Sequence, residues 1–214
     1  MNTYPDVISK MALCMSAAQL AKDSFVDEFG IGEDLTFNFF GWKDDNLIVV
    51  SQLRQEHSHL PIEKRLILSS MVLGHMRYCW GIDAVSAVAE GFETLDKNSL
   101  QGRELAVAFV EERGLVKECL TVTHCEANEI TSLLEVYLVS TTYTYSLGRT
   151  VEWGSPLGFT KGTETVLKNS PLPKILIECL SMTAPESVTD EEIESSIEEI
   201  EKMGFNIQEF APLD

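Results

Sequence analysis

The chain has 214 residues, 44% of them hydrophobic and 23% charged, with 34 acids against 16 bases for a net charge of −18. A globular chain of this size buries about 70% of its unfolded surface, which excludes disorder throughout and any need for disulfides or metal to hold a core. The charge balance also argues against nucleic acid, whose binding needs clustered Lys and Arg, and against anionic membrane surfaces.

That charge is unevenly spread. Residues 185–214 hold ten acids and one lysine, so 10 − 1 = 9 of the 18 net negative charges lie there. The expected organisation is one α+β domain over residues 1–184, followed by an acidic C-terminal helix and tail over 185–214. Cys14, Cys79, Cys119, Cys125 and Cys179 are odd in number and lack C-x-x-C spacing. They read as reduced thiols in a cytoplasm. Met1 to Asp6 lack the basic and apolar regions of a signal peptide, and no apolar run nears the ~20 residues of a bilayer span.

In chain order, Pro5 suits the start of a helix, and Ile8, Met11, Met15, Ala18, Phe25 and Phe29 recur at helical spacing up to a stop at Gly30. Leu35, Phe37 and Phe39 alternate with Thr36 and Asn38, and Asp44-Asp45-Asn46 turns the chain into a second strand, Leu47 to Leu53. Pro61 opens a second helix through Leu66, Leu73 and Met76, ending near Trp80-Gly81. Ala84 to Phe92 is nearly continuous in apolar residues, the pattern of a strand buried on both faces.

A helix is predicted near Leu105 to Arg113, then strands at Val116 to Thr123 and Ile130 to Leu138. One further strand takes in Tyr143, Tyr145, Val151 and Trp153. Gly154 to Pro173 has loop composition. Thr189 and Glu192 form a capping-box pattern, with Ile193, Ile197, Ile200 and Met203 as one apolar stripe and Gly204 as its end. The fold class is therefore α+β, with a mostly antiparallel sheet of five or six strands packed by helices.

Among residues that could carry chemistry, His57-Ser58-His59 follows a strand end. It resembles the zinc-binding H-x-H of the JAMM metalloproteases, but Ile67 to Val72 supply no carboxylate to complete a zinc site. Cys119 and Cys125 share a strand face while His124 points the other way, which separates them as ligands or as a nucleophile pair. Glu90 ends an apolar run, and a carboxylate there needs a partner, with Arg77 and Lys117 as candidates. No P-loop, dinucleotide or nucleophile-elbow motif is present.

Arg77-Tyr78-Cys79-Trp80-Gly81, Asp83 to Phe92 and Lys117 to Val122 resemble uncharacterised small proteins of bacterial viruses. That resemblance covers under half of the chain and implies no activity. The expected function is a non-enzymatic acidic protein-binding or assembly protein, virus-encoded, acting on a protein partner or by self-association. Its contacts are expected at Ile193, Ile197, Ile200 and Phe205, with no cofactor and no metal. One alternative is an acidic inhibitor that mimics nucleic acid. Another is a small metal-dependent hydrolase using His57 and His59, with Glu90 as a further candidate carboxylate.

Overall fold

Antiparallel pairing joins seven strands into one sheet in the order β6-β5-β4-β3-β1-β2-β7. The computed structural model describes residues 4–29, 37–57, 59–94, 116–128, 131–146, 150–162 and 171–211. The strands are β1 (Asn38–Lys43), β2 (Asn46–Leu53), β3 (Ala84–Thr94), β4 (Val116–Ala127), β5 (Leu134–Tyr145), β6 (Val151–Lys161) and β7 (Phe205–Glu209). The helices are α1 (Tyr4–Phe29), α2 (Ile62–Trp80), α3 (Pro171–Ser181) and α4 (Asp190–Lys202). Gly30, Leu35, Thr36 and the helix expected near Leu105 to Arg113 lie outside the described residues.

Local chemistry sets several boundaries. Asp44 and Asp45 both take positive φ, and Lys43 pairs with Asn46. This is the two-residue hairpin whose twist matches its strands. Gly81 closes α2 at φ +60, its N–H donating to the Arg77 carbonyl. Both halves of the Thr189–Glu192 capping box are formed at the start of α4.

The sheet exceeds the expected five or six strands because the chain turns more often than its composition suggests. Tyr143 and Tyr145 belong to β5, whereas Val151 and Trp153 lie on β6 beyond a turn in which Ser146 N–H donates to the Thr150 carbonyl. The expected loop from Gly154 is strand as far as Lys161. β6 is an edge strand among the described residues, and its register with β5 shifts on either side of the Thr141–Pro156 pair, the setting in which a strand accommodates a proline. Pro171 and Pro173, which read as loop, instead occupy the first turn of α3, where a helix needs no N–H donor.

Helices cover both faces of the sheet, which is why Ala84 to Val88 are buried without alternation. On one face, α2, α3 and α4 pack Leu73, Met76, Leu176 and Ile200 against Phe39, Val49, Val85 and Cys125. On the other face, α1 packs Met11, Cys14, Met15 and Ala18 against Phe40, Trp42, Val88 and Val122. The C-terminal segment completes the first face. Ile200 and Phe205 are fully buried there, and β7 extends the sheet along β2.

Candidate functional site

Helix α1 buries two lysines along with its apolar side chains. Lys10, Cys14, Ala18 and Lys22 are spaced by four residues and so form one row along the helix. That row faces the sheet: Lys10 is 7% exposed and Lys22 only 1%. Along β3, Ser86 and Glu90 point toward α1 about 13 Å apart, and Cys14 and Lys22 are about 12 Å apart along the helix axis. The two spacings match, so each polar side chain of the row meets one on the sheet.

At one end, Lys22 Nζ lies 2.7 Å from Glu90 Oε1, and Tyr143 OH donates to the same oxygen at 3.0 Å. Lys22 also stands over the Tyr143 and Tyr145 rings. Burial alone would lower the Lys22 ammonium, but the hydrogen bond and charge of Glu90, with Tyr145, outweigh it and raise its pKa. Burial, then the Glu90 charge, push the Tyr143 phenol far up. Glu90 is therefore paired within the fold, by Lys22 rather than Arg77. The Arg77 guanidinium donates instead to the carbonyls of Met182 and Ile82, and the Lys117 side chain is outside the described set.

At the other end lies a longer relay. Trp42 Nε1–H donates to Ser86 Oγ at 3.1 Å, and Ser86 Oγ stands 2.7 Å from His124 Nδ1. His124 Nε2 is 3.1 Å from Glu126 Oε2, and Lys10 Nζ reaches Glu126 at 3.0 Å and Asp45 at 2.8 Å. Burial holds the His124 pKa below its ordinary value, so the ring is neutral near pH 7. The Glu126 carboxylate can only accept, so Nε2 carries the ring proton and donates to it. That leaves Nδ1 to accept from the Ser86 hydroxyl while Ser86 Oγ accepts from Trp42. Its contact with Glu126 is a hydrogen bond to an anion, not an ion pair. Burial would raise the Glu126 carboxyl, but hydrogen bonds from His124 and Lys10 bring it below its usual range.

Ser86, His124 and Glu126 have the connectivity of a hydrolytic triad, yet Ser86 and His124 are wholly buried. The Ser86 hydroxyl is occupied by Trp42 and His124, so it meets no solvent-borne substrate in this arrangement. Burial pushes the Cys14 thiol beside Ser86 up to about 12, so it is no thiolate nucleophile. Cys125 faces the opposite core, separated from His124 by the sheet, and burial also takes it to about 12.

Glu56 Oε1 lies 3.7 Å from His57 Nδ1, but His57 and His59 do not gather with a carboxylate into a three-ligand group among the described residues. His59 is exposed, whereas the His57 ring lies against Gly204, where an added Cβ would come within 2.7 Å of three ring atoms. Among the described residues, no group of three His, Cys, Asp or Glu side chains could hold a metal ion. His57 instead packs the β2–α2 connection onto the turn between α4 and β7, where Arg54 N–H also donates to the Gly204 carbonyl at 2.8 Å.

An accessible groove lies on the opposite face of the sheet, between α2 and α4. Met71, Gly74, Tyr78 and Met182 line a groove of about 460 Å³ together with His75 and Ser196. Met71, Tyr78 and Met182 are each about half exposed, and Ile67 continues the stripe one turn earlier on α2. On the α4 side, Glu192 accepts from Tyr78 OH at 3.3 Å and Glu199 lies 3.3 Å from His75 Nε2. The result is an apolar trough, lined also by Arg77 and Thr183, with the carboxylates of Glu192 and Glu199 along its α4 side. Of the expected contact residues, Ile193 and Ile197 are partly buried on α4, while Ile200 and Phe205 are sealed in the core and present nothing to a partner.

The sequence reading passed over this groove because Met71 and Tyr78 look like ordinary helix residues. The available signal was the spacing of Ile67, Met71, Gly74 and Tyr78, a second stripe on α2 beside the core stripe of Val72, Leu73 and Met76. Among the described residues no helix is long and apolar enough to cross a membrane. Comparison with protein-family models, curated proteins and solved structures found no match to this chain.

Proposed function

We propose that the chain is a non-enzymatic, acidic protein-binding or assembly protein, and that the groove between α2 and α4 receives a basic partner segment anchored by apolar side chains. The observation that carries this reading is the half-exposed apolar trough of Met71, Tyr78 and Met182 beside the carboxylates of Glu192 and Glu199. Methionine lines such surfaces well because its side chain adapts to varied partners. An amphipathic helix with basic flanks fits both features, its apolar face in the trough and its cations on the rim. Five buried free thiols support a reducing, cytoplasmic setting.

The test uses a short synthetic amphipathic helix of leucine and lysine and measures its anisotropy on titration. The wild type is expected to bind it, more weakly as salt rises. Met71→Glu is expected to weaken binding at least about tenfold, a loss of ~1.4 kcal/mol. Leu133→Glu, at an exposed position outside the groove's lining, is expected to leave it unchanged. Equal affinity of Met71→Glu and wild type would reduce the interaction to diffuse charge attraction and sink the reading.

A further inference from the structure

The outward face of α1 is a second apolar surface, on the far side of the sheet from the groove. Ile8, Leu13 and Leu20 are 47%, 50% and 69% exposed, with Ala12, Ser16 and Ala17 exposed between them. Lys10, the one charged residue between Ile8 and Leu20, points inward, so the exposed face of that stretch carries no charge of its own. The nearest carboxylates are those of Asp6 and Asp45 beside Leu13. On a chain of net charge −18, a solvent-facing helix would ordinarily present charged side chains.

We propose that this face is the contact between two copies of the chain, with the two α1 helices packed antiparallel about a two-fold axis near Ser16 and Ala17. Electrostatics selects the occupant. Two chains of −18 repel, and they approach at least cost where neither exposes charge. The most acidic element, α4, lies across the sheet from α1, so pairing through α1 keeps the two acidic helices at opposite ends of the dimer. Pairing through the α2 groove would instead bring the Glu192 and Glu199 rims together. An anionic membrane is a poor occupant, since the face presents no Lys or Arg.

The face is also self-complementary. About an axis between Ser16 and Ala17, Leu13 of one copy meets Leu20 of the other and Leu20 meets Leu13. The small pair Ser16 and Ala17 sits at the crossing, where the backbones approach most closely. An isologous contact requires this reciprocity.

Sedimentation velocity over a range of concentrations tests the proposal on the full chain. The wild type is expected to show a reversible monomer–dimer equilibrium. Leu20→Glu is expected to raise the dimer dissociation constant by roughly a hundredfold, while its far-ultraviolet circular dichroism and its affinity for the leucine–lysine peptide stay as in the wild type. Orientation is read by mixing Leu13→Cys with Leu20→Cys under a copper–phenanthroline oxidant. The mixture is expected to cross-link faster than either variant alone, since the five native thiols are buried. A chain that stays monomeric up to its solubility limit overturns the proposal. So does a dimer abolished by Met71→Glu but not by Leu20→Glu, or a monomer that binds neutral lipid vesicles. None of these outcomes depends on whether the groove binds a basic peptide.

Discussion

Lys22 and Glu90 form a buried pair, Nζ to Oε1 at 2.7 Å, between the second half of α1 and the middle strand of the sheet. Removing one member leaves the other charge without its partner in a low-dielectric site, which costs about 3–5 kcal/mol. Lys22→Met and Glu90→Leu are each expected to lose that much stability in urea unfolding. The double variant is expected to be closer to wild type than either single one. Single losses below about 1 kcal/mol would show that water screens the pair.

His124 gives the fold an acid sensitivity of definite sign. It is neutral in the folded chain with a lowered pKa, whereas in the unfolded chain it titrates near its ordinary value of about 6.5. The unfolded state therefore binds the proton first, and stability falls as the pH drops below ~6.5. Glu126, held below its ordinary value, adds stability above about 4.5 that is lost as the pH falls through its folded value. Relief of the general negative charge acts in the opposite direction, so wild type is compared with variant. His124→Gln is expected to be less stable at pH 7 and to lose the wild-type slope that begins below roughly pH 6.5. Parallel stability curves for the two proteins would contradict the relay.

Gly204 holds φ +89 against the His57 ring. Gly204→Ala should cost about 1–2 kcal/mol for handedness alone, and more for the collision with the imidazole. His57→Ala combined with Gly204→Ala should recover the collision part and not the handedness part. Simple additivity of the two substitutions would place the ring elsewhere.

The C-terminal segment is held by Ile200 and Phe205, both fully buried, and by the pairing of β7 with β2. Phe205→Ala is expected to cost about 3–5 kcal/mol. Deleting residues 185–214 should uncover Leu53 and Phe39, lower the melting temperature and cause aggregation despite removing mostly polar sequence. An unchanged melting temperature would mean that this core face stands without its last element.

Sequence pattern revealed much of the fold and little of the site. The capping box, the Asp44-Asp45 turn and the Gly81 stop rest on local hydrogen bonds and φ preferences, which a few neighbouring residues determine. The orientation of α1 does not. Its apolar periodicity placed Ile8 inward, yet Ile8 is exposed and Lys10 and Lys22 are inside. What turns the helix is the presence of Glu90, Glu126 and Asp45 opposite those lysines, on elements distant in sequence. Likewise Ser86 looked like one residue of an apolar run, and only the β3–β4 register sets it against His124. A Lys at each end of an i, i+4 row, with carboxylates on the strands to be covered, was the legible hint.

The central claim is that the α2–α4 groove binds a basic, apolar-anchored segment, and methionine methyl resonances test it most directly. Met71 and Met182 line the groove, whereas Met11 and Met76 are buried in the two separate cores. On titration with the leucine–lysine peptide, the methyls of Met71 and Met182 are expected to shift while those of Met11 and Met76 hold their positions. Peptide binding with Met71 and Met182 unmoved would place the contact elsewhere on the acidic surface and contradict the account.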